Sequence, residues 1–382
     1  MIKRELTQEI IKSLTQYPII SLTGPRQSGK STLLTTILPD YKYVSLESPE
    51  DRKFALDDPR GFLEKYNDKT IIDEAQYAPD LFSYIQMVTD FSGKTGQYVL
   101  SGSQNFLLLK SIKQSLAGRV NILKLLPFSY HELSRSDINP NIDELIFMGG
   151  YPRIYDKNLP PSKFYENYLQ TYIDRDVDDL LNVREISTFN KFLKICATRI
   201  GQILDITSLA NDCGIDRKTA SSWLSILESS YIAFQMPPYF ANIGKRLIKS
   251  PKLYFYDTGL ACYLLGIKDK DLLVNSRSFG SLFENFVIGE MLKGYLNADQ
   301  NPDLYFWRDN HKNEVDIIDA TGSELKSYEV KSSKTMNWDY LSNLSDVSEA
   351  LKISMENRAV IYNGETSKGT KGNNFVNWRE IG

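Results

Sequence analysis

The nine residues from Gly24 to Thr32 constrain the fold of this chain more than any other stretch. They read Gly-Pro-Arg-Gln-Ser-Gly-Lys-Ser-Thr and match the G-x-x-x-x-G-K-[ST] pattern of a phosphate-binding loop. The apolar residues 17–23 predict a buried strand before the loop, and residues 31–38 predict a helix after it. Between a strand and a helix N-terminus, backbone N–H groups of such a loop point at phosphate oxygens. The pattern therefore predicts a nucleotide-phosphate site on an α/β scaffold.

Single positions of this loop have separate expected roles. Gly24 and Gly29 allow the backbone to turn tightly. Lys30 is expected to reach the β- and γ-phosphates, and the Ser31 hydroxyl is expected to ligate Mg²⁺. The residues predicted to bind nucleotide are Gly24, Pro25, Arg26, Gln27, Ser28, Gly29, Lys30, Ser31 and Thr32.

Length and composition set outer limits. A chain of 382 residues allows two or three domains, and its net charge of −3 means that a nucleic-acid surface has to be local. Three scattered cysteines fit a reducing compartment. The charged N-terminus lacks the apolar segment of a signal peptide, and no apolar run is long enough for a bilayer. We therefore expect a cytoplasmic protein without a membrane partner.

A second motif ends the apolar strand 70–73. Asp73 is placed to reach Mg²⁺ beside Ser31, and Glu74, one residue later, is placed to polarise an attacking water. The alternative is a strand followed by a solvated acidic turn. The phosphate loop upstream favours the paired interpretation.

Two further features suit a site for triphosphate hydrolysis. Ser103 and Asn105 follow the strand 97–100 and are candidate sensors of the γ-phosphate or of water; a plain turn before a helix has the same composition. Arg119, at a loop-to-strand junction, is a candidate arginine finger acting in cis or in trans. A surface arginine is its alternative.

Residues 206–228 have the pattern of a helix-turn-helix, with a turn at Gly214 and a second helix capped by Asp216. Duplex binding would use the start of that second helix and the hairpin after it. The alternative is a winged-helix fold used for packing or protein contacts. The candidate DNA contacts are Arg217, Lys218, Ser221, Lys245 and Arg246.

The last region contains a charged constellation. Glu329 and Lys331 are two residues apart on a predicted strand and face the same side. With Asp316 on another strand and Glu284 on a predicted helix, they form a set that can hold a divalent ion and position a water. The alternative is an ordinary alternating charged face on a sheet.

The N-terminal motifs together resemble the prokaryotic AAA-type ATPases of the AAA_14 group. The region from about Phe147 resembles the DUF4143 region that accompanies them, and its charged constellation resembles the PD-(D/E)xK nuclease fold. The resemblance implies ATP and Mg²⁺ as cofactors, with a further divalent metal expected at the C-terminal set. Cleavage does not follow from it, because many such domains only bind.

The expected fold class is α/β. It comprises a P-loop core with a parallel sheet covered by helices on both faces (1–130), a helical lid or connector (131–188), a winged-helix-like domain (189–250) and a nuclease-like domain (251–382). We expect an ATPase that couples nucleotide state to binding or processing of double-stranded or branched DNA, and a second copy of the chain is a candidate partner. The alternative is an ATP-gated switch or scaffold that binds protein or nucleic acid without cleaving it.

Overall fold

The protein was analysed as a computed structural model that describes residues 2–102, 112, 115–173, 183–239, 250–309, 313–370 and 373–381. Its N-terminal part is built on a five-stranded sheet in the order β2-β3-β4-β1-β5 with all strands parallel. The strands are β1 (Ile19–Thr23), β2 (Lys42–Ser45), β3 (Thr70–Asp73), β4 (Tyr98–Gly102) and β5 (Val120–Lys124). The parallel α/β core predicted from the sequence is confirmed.

Helices cover both faces of this sheet. Neighbouring strand residues point to opposite faces, so Ile19 packs in one hydrophobic cluster and Ile20 in the other. The helices of this part are α1 (Thr7–Gln16), α2 (Lys30–Ile37), α3 (Pro49–Asp57), α4 (Pro59–Lys65) and α5 (Leu81–Ser92). Because parallel strands share one carboxyl edge, the loop after β1 and the acids after β3 meet there.

The middle of the chain is mainly helical and ends in a hairpin. Its elements are α6 (Tyr130–Ser134), α7 (Ile142–Met148), α8 (Pro152–Asp156), α9 (Pro161–Tyr172), α10 (Val183–Thr198), α11 (Ile206–Cys213), α12 (Arg217–Ser229), β6 (Ala233–Met236) and β7 (Lys252–Phe255). Gly214 ends α11 with φ +73°, and the Asp216 carboxylate caps α12 by accepting from the N–H groups of Lys218 and Thr219. The two helices are therefore joined by the turn chemistry that the sequence predicts.

A six-stranded mixed sheet forms the C-terminal part, in the order β12-β13-β11-β10-β9-β8. Its elements are α13 (Thr258–Leu264), α14 (Lys270–Val274), α15 (Phe279–Asn297), β8 (Leu304–Arg308), β9 (Glu314–Asp319), β10 (Lys326–Lys331), α16 (Tyr340–Ala350), β11 (Arg358–Tyr362), β12 (Lys368–Thr370) and β13 (Asn373–Asn377). One hydrophobic cluster lies on its α15 side and another on its α16 side.

The middle and C-terminal parts share one hydrophobic core, which runs from Phe128 to Ile381. Strands β6 and β7 pair with each other in antiparallel fashion. The domain boundary predicted at 250/251 falls between these two paired strands. Within the described residues, no helix is long and apolar enough to cross a membrane.

Candidate functional site

The loop after β1 has glycines with positive φ at its two ends. Gly24 has φ +147°, and a Cβ atom there would lie 2.2 Å from the Leu125 carbonyl oxygen. Gly29 has φ +93° and occupies the N-cap position of α2. The loop therefore wraps closely around its own centre, directly in front of the α2 N-terminus.

Lys30 fills the centre of this loop. Its side chain is buried, and Nζ donates to the carbonyl oxygens of Gly24 at 2.9 Å and Pro25 at 2.8 Å. The loop therefore holds a cationic group at its centre, and opposite charge would attract phosphate oxygens to it. The contact of Lys30 with the β- and γ-phosphates stays a prediction.

Asp73 lies at the end of β3 and meets the loop directly. The Ser31 hydroxyl donates to Asp73 Oδ2 at 2.6 Å, and the Tyr43 hydroxyl donates to the same oxygen at 2.7 Å. Ser101 Oγ donates to Asp73 Oδ1 at 2.5 Å, and the Glu74 N–H donates to Oδ1 at 3.1 Å. Both oxygens of the acid are therefore fixed in orientation beside Ser31.

Tyr43 and Ser101 were not predicted as site residues. Tyr43 lies in β2 and Ser101 in β4, the two strands that neighbour β3 in the sheet, so only the strand order brings them to Asp73. Burial, followed by its bond to Asp73, raises the pKa of Tyr43 well above its usual value. Its phenol therefore remains a hydrogen-bond donor to Asp73 at all physiological pH values.

Glu74 follows with φ +52°, a left-handed conformation that is uncommon for a residue other than glycine. Gln76 Nε2 donates to Glu74 Oε2 at 2.5 Å. The Gln76 side chain is buried, and its Oε1 receives no hydrogen bond from a described residue. The carboxylate expected to act on water is thus held by a neighbouring amide.

The residues present fit a magnesium–nucleoside triphosphate. Ser28 Oγ and Gln27 Oε1 are buried atoms of the loop without a hydrogen-bond partner among the described residues. The hydroxyl of Ser31 and the carboxylate of Asp73 are hard oxygen donors of the kind that Mg²⁺ prefers. Lys30, Ser31 and Asp73 would hold the phosphates and the metal.

Arg4 is a further residue of this site that the sequence did not reveal. Its guanidinium donates to the Ser28 carbonyl at 2.9 Å and the Leu126 carbonyl at 2.5 Å, and Nε lies 2.9 Å from Glu132 Oε1. The N-terminal segment is thereby tied to the outer side of the phosphate loop. A lone arginine near the start of the chain carries no sequence signal for that contact.

Arg119 lies at the opposite end of the sheet. It immediately precedes β5, and its carbonyl accepts a hydrogen bond from the N–H of Ile19, the first residue of β1. Its guanidinium pairs with Asp90 at 2.5 Å and 3.0 Å. The phosphate loop follows the other end of β1. The prediction that Arg119 acts on the γ-phosphate of its own chain is therefore wrong, and its action in trans stays a prediction.

The candidate sensors Ser103 and Asn105 lie outside the described residues.

The candidate DNA-contacting residues divide into two groups. Arg217 and Lys218 are exposed in the first turn of α12, and Ser221 is half-buried one turn later. They lie together on the helix that the sequence predicts for this role. Lys245 and Arg246 lie outside the described residues.

The C-terminal set also converges in space. Asp316 Oδ2 accepts from the Val330 N–H at 2.8 Å and lies 3.8 Å from Lys331 Nζ, while Lys331 also pairs closely with Glu329. Glu284 Oε1 accepts from Tyr254 at 2.5 Å and from Lys252 Nζ at 3.1 Å. Three residues missed in the sequence, Lys252, Tyr254 and Glu314, thus belong to this cluster.

Burial changes the acid–base properties of this cluster. Desolvation, followed by repulsion from Asp316, raises the pKa of Glu284 to about 7 and that of Glu329 to about 8. Glu329 Oε2 is buried without a hydrogen-bond partner in the described part of the chain. In that same part, no three acidic, histidine or cysteine side chains form a group that could hold a metal ion.

The strand–loop–helix unit, with Lys30 inside the loop and Ser31 beside Asp73, defines the N-terminal part as a P-loop nucleoside triphosphatase module. Residues 16–134 match the model of an AAA domain, AAA_14. Residues 139–271 and 279–381 match two domains of unknown function, DUF8612 and DUF4143. The resemblance to AAA_14 ATPases with a DUF4143 region is thereby confirmed. This relationship supports an ATPase-type activity.

Relatives that align with this chain over most of their length show the family to which it belongs. An uncharacterized protein of Mycobacterium tuberculosis, Rv2008c, is 30% identical over 368 residues, which cover 95% of this chain and 80% of the relative. An uncharacterized protein of Methanocaldococcus jannaschii, MJ1544, is 23% identical over 82% of this chain and 74% of its own length. The chain belongs to the same family as Rv2008c, and in this chain an AAA domain and a C-terminal DUF4143 domain are matched.

Among solved structures, the Walker-type ATPase PABY2304 of Pyrococcus abyssi aligns with a TM-score of 0.46 and 16% identity, covering 69% of this chain and 96% of that protein. A single-residue variant of RuvB from Thermotoga maritima aligns with a TM-score of 0.32 and 17% identity, covering 61% of this chain and 89% of that protein.

The DUF4143 match begins at residue 279, later than the resemblance from about Phe147 predicts.

Proposed function

We propose that this protein is a Mg²⁺-dependent ATPase whose nucleotide state is coupled to DNA binding. The observation that carries the ATPase part is the 2.6 Å hydrogen bond between Ser31 Oγ and Asp73 Oδ2 beside the buried Lys30. Two sequence motifs separated by 42 positions meet there in the geometry that a triphosphate and its metal require.

Each residue then has a role that its position supports. The loop N–H groups and Lys30 bind and orient the phosphates. Ser31 and Asp73 hold the metal, and bound Mg²⁺ supplies charge neutralisation to the β- and γ-phosphates. Glu74, held by Gln76, orients and polarises the attacking water. Tyr43 and Ser101 keep Asp73 in place.

The test is ATP turnover by the purified full-length protein, measured with binding of a fluorescent ATP analogue. Lys30→Met is expected to abolish nucleotide binding, whereas Glu74→Gln is expected to retain binding and to lose turnover by about 10²-fold or more. Chelation of Mg²⁺ is expected to stop turnover in the native protein. Normal turnover by Lys30→Met would reject the proposal.

For the DNA part, support comes from the exposed Arg217 and Lys218 at the start of α12. Their double replacement by alanine is expected to weaken duplex binding and to reduce the slope of log K against log salt by about 1 to 2. Lys94→Ala, an exposed lysine paired with Asp68 on the AAA module, is the matched control. Salt-independent binding, or equal losses in both variants, would argue for a protein partner instead.

A second function, in which the C-terminal domain binds without cleaving, is favoured by one observation. Lys252, which is not part of the predicted nuclease-like set, is paired with Glu284, a carboxylate that would serve a cleaving centre. Plasmid and branched DNA, incubated with Mg²⁺ or Mn²⁺, distinguish the two functions. Cleavage that is lost in Asp316→Ala establishes a nuclease, and intact DNA establishes a binding domain.

A further inference from the structure

Lys252 lies inside the C-terminal carboxylate cluster although it belongs to β7, outside the residues that match DUF4143. Its Nζ lies 2.6 Å from Glu314 Oε1 and 3.1 Å from Glu284 Oε1. Glu314 begins β9 and Glu284 lies on α15. One ammonium group thus joins three elements that are distant in sequence, and the site is assembled across two family regions.

This ammonium is almost completely removed from solvent. The Lys252 side chain is 2% exposed, and the Phe306 ring lies with its centre 5.4 Å from Nζ. A buried ammonium is costly unless it is paired. Glu314 and Glu284 supply that pairing, because a carboxylate oxygen of each lies within 3.1 Å of Lys252 Nζ.

A lysine ammonium and a divalent cation compete for the same point between carboxylates. A metal ion satisfies converging oxygens at about 2.0–2.6 Å, whereas an ammonium satisfies them through three N–H donors. Lys252 Nζ already occupies the point at which Glu284 and Glu314 converge. Two of the three carboxylates of the expected metal set are therefore already paired with an ammonium group, Glu284 with Lys252 and Glu329 with Lys331. The residues as arranged do not fit a divalent metal, because it would have to displace Lys252 from Glu284.

We propose that Lys252 is a built-in counter-ion that takes the place of a divalent cation at the C-terminal site and prevents Mg²⁺ or Mn²⁺ from binding there. The proposal goes beyond the ATPase function and does not depend on it, because it concerns the protein free of nucleotide.

The experiment is a Mn²⁺ titration of the nucleotide-free full-length protein, followed by electron paramagnetic resonance of the free ion, together with thermal unfolding in millimolar Mn²⁺. The native protein is expected to show neither binding nor stabilisation at this site. Lys252→Gln is expected to gain a Mn²⁺ site at least about ten-fold tighter than any in the native protein. Adding Asp316→Ala to Lys252→Gln is expected to abolish that gain.

Lys293 offers a matched control. It is another buried lysine on a glutamate, with Nζ 2.7 Å from Glu290 Oε1. Lys293→Gln removes a comparable ion pair and is expected to gain no Mn²⁺ site. A native site that is lost in Asp316→Ala, or a folded Lys252→Gln without gain, overturns the proposal. If Lys252→Gln is unfolded without metal, added Mn²⁺ is expected to refold it, which a cooperative thermal transition would show. Failure of Mn²⁺ to refold the variant also overturns the proposal.

Discussion

The hydroxyl of Tyr231 lies 2.9 Å from Thr23 Oγ1, across 208 positions of sequence. Thr23 is the last residue of β1, immediately before the phosphate loop, and Tyr231 lies just beyond the end of α12. Both side chains are buried, and Tyr231 has φ +57°, which is strained for an aromatic residue. One hydrogen bond therefore links the residue just before the phosphate loop to the segment that follows the candidate DNA-binding helix.

Tyr231→Phe tests whether the hydrogen bond between Tyr231 and Thr23 affects ATP binding. Loss of the hydrogen bond is expected to lower the free energy of unfolding by about 1 kcal/mol and to change ATP affinity, because the end of β1 is released. Urea unfolding and titration with a fluorescent ATP analogue measure the two effects. Tyr151→Phe, which loses the buried bond to Tyr168, is the control that should change stability alone. Unchanged ATP affinity in Tyr231→Phe would show that the contact is only structural.

Gly24→Ala tests the shape of the loop. The added Cβ would meet the Leu125 carbonyl oxygen at 2.2 Å in a backbone conformation with φ +147°. We expect a loss of about 2–4 kcal/mol of stability and loss of nucleotide binding. Gly289→Ala, where a Cβ meets nothing within 4 Å, is the control on α15 and should be neutral or slightly stabilising. Chemical denaturation and nucleotide binding measure both variants.

Tyr43→Phe tests the support of Asp73. Removal of the hydroxyl leaves Ser31 as the hydroxyl donor to Asp73 Oδ2, so the carboxylate is less firmly oriented. We expect the Mg²⁺ concentration needed for half-maximal ATP turnover to rise about ten-fold. Tyr41→Phe loses a bond to the Gly96 carbonyl instead and should leave the Mg²⁺ requirement unchanged. Equal Mg²⁺ curves for both variants and the native protein would contradict this role.

The raised pKa values of Glu284 and Glu329 predict how stability depends on pH. Both carboxyl groups bind protons more tightly in the folded state than in the unfolded one, where the ordinary value is 4.5. The folded state therefore binds more protons between about pH 4.5 and 8, and its stability falls as pH rises through this window. Urea unfolding at several pH values measures the slope. Glu284→Gln is expected to flatten it, whereas Glu166→Gln, at an exposed residue, should not.

Arg119→Ala separates a surface ion pair from a catalytic role in trans. The pair with Asp90 is partly exposed, so its loss should change the free energy of unfolding little. If Arg119 acts on a neighbouring copy, turnover should rise with protein concentration in the native protein and should be lost in the variant. Asp90→Ala removes the same ion pair but keeps the guanidinium. Equal, concentration-independent turnover in all three proteins would assign Arg119 to the surface.

Local patterns were sufficient for the N-terminal core. The strand before Gly24, the helix after Lys30 and the acidic end of β3 are contiguous stretches, and each lies where the sequence predicts it. The alternation of strands and helices along the chain also predicted a parallel sheet. Two parallel strands need a long crossover connection, which is usually a helix packed on the sheet. The domain boundary at 250/251 stays a prediction; β6 and β7 lie on either side of it and pair with each other in the tertiary structure.

The sequence by itself determined which reactive groups the chain carries: a phosphate-loop motif, an acidic strand end of the kind that suits a metal, and a C-terminal set of carboxylates with a lysine. Only the tertiary structure decided which groups surround them. Tyr43, Arg4 and Lys252 reach their sites through strand order and packing, which bring together residues far apart in the chain. Strand order also explains why Arg119 lies away from the phosphate loop. Because β5 runs parallel to β1, the start of β5, where Arg119 lies, is at the opposite end of the sheet from the loop. The motifs in the sequence identify the reactive side chains, but the fold sets the distances between them.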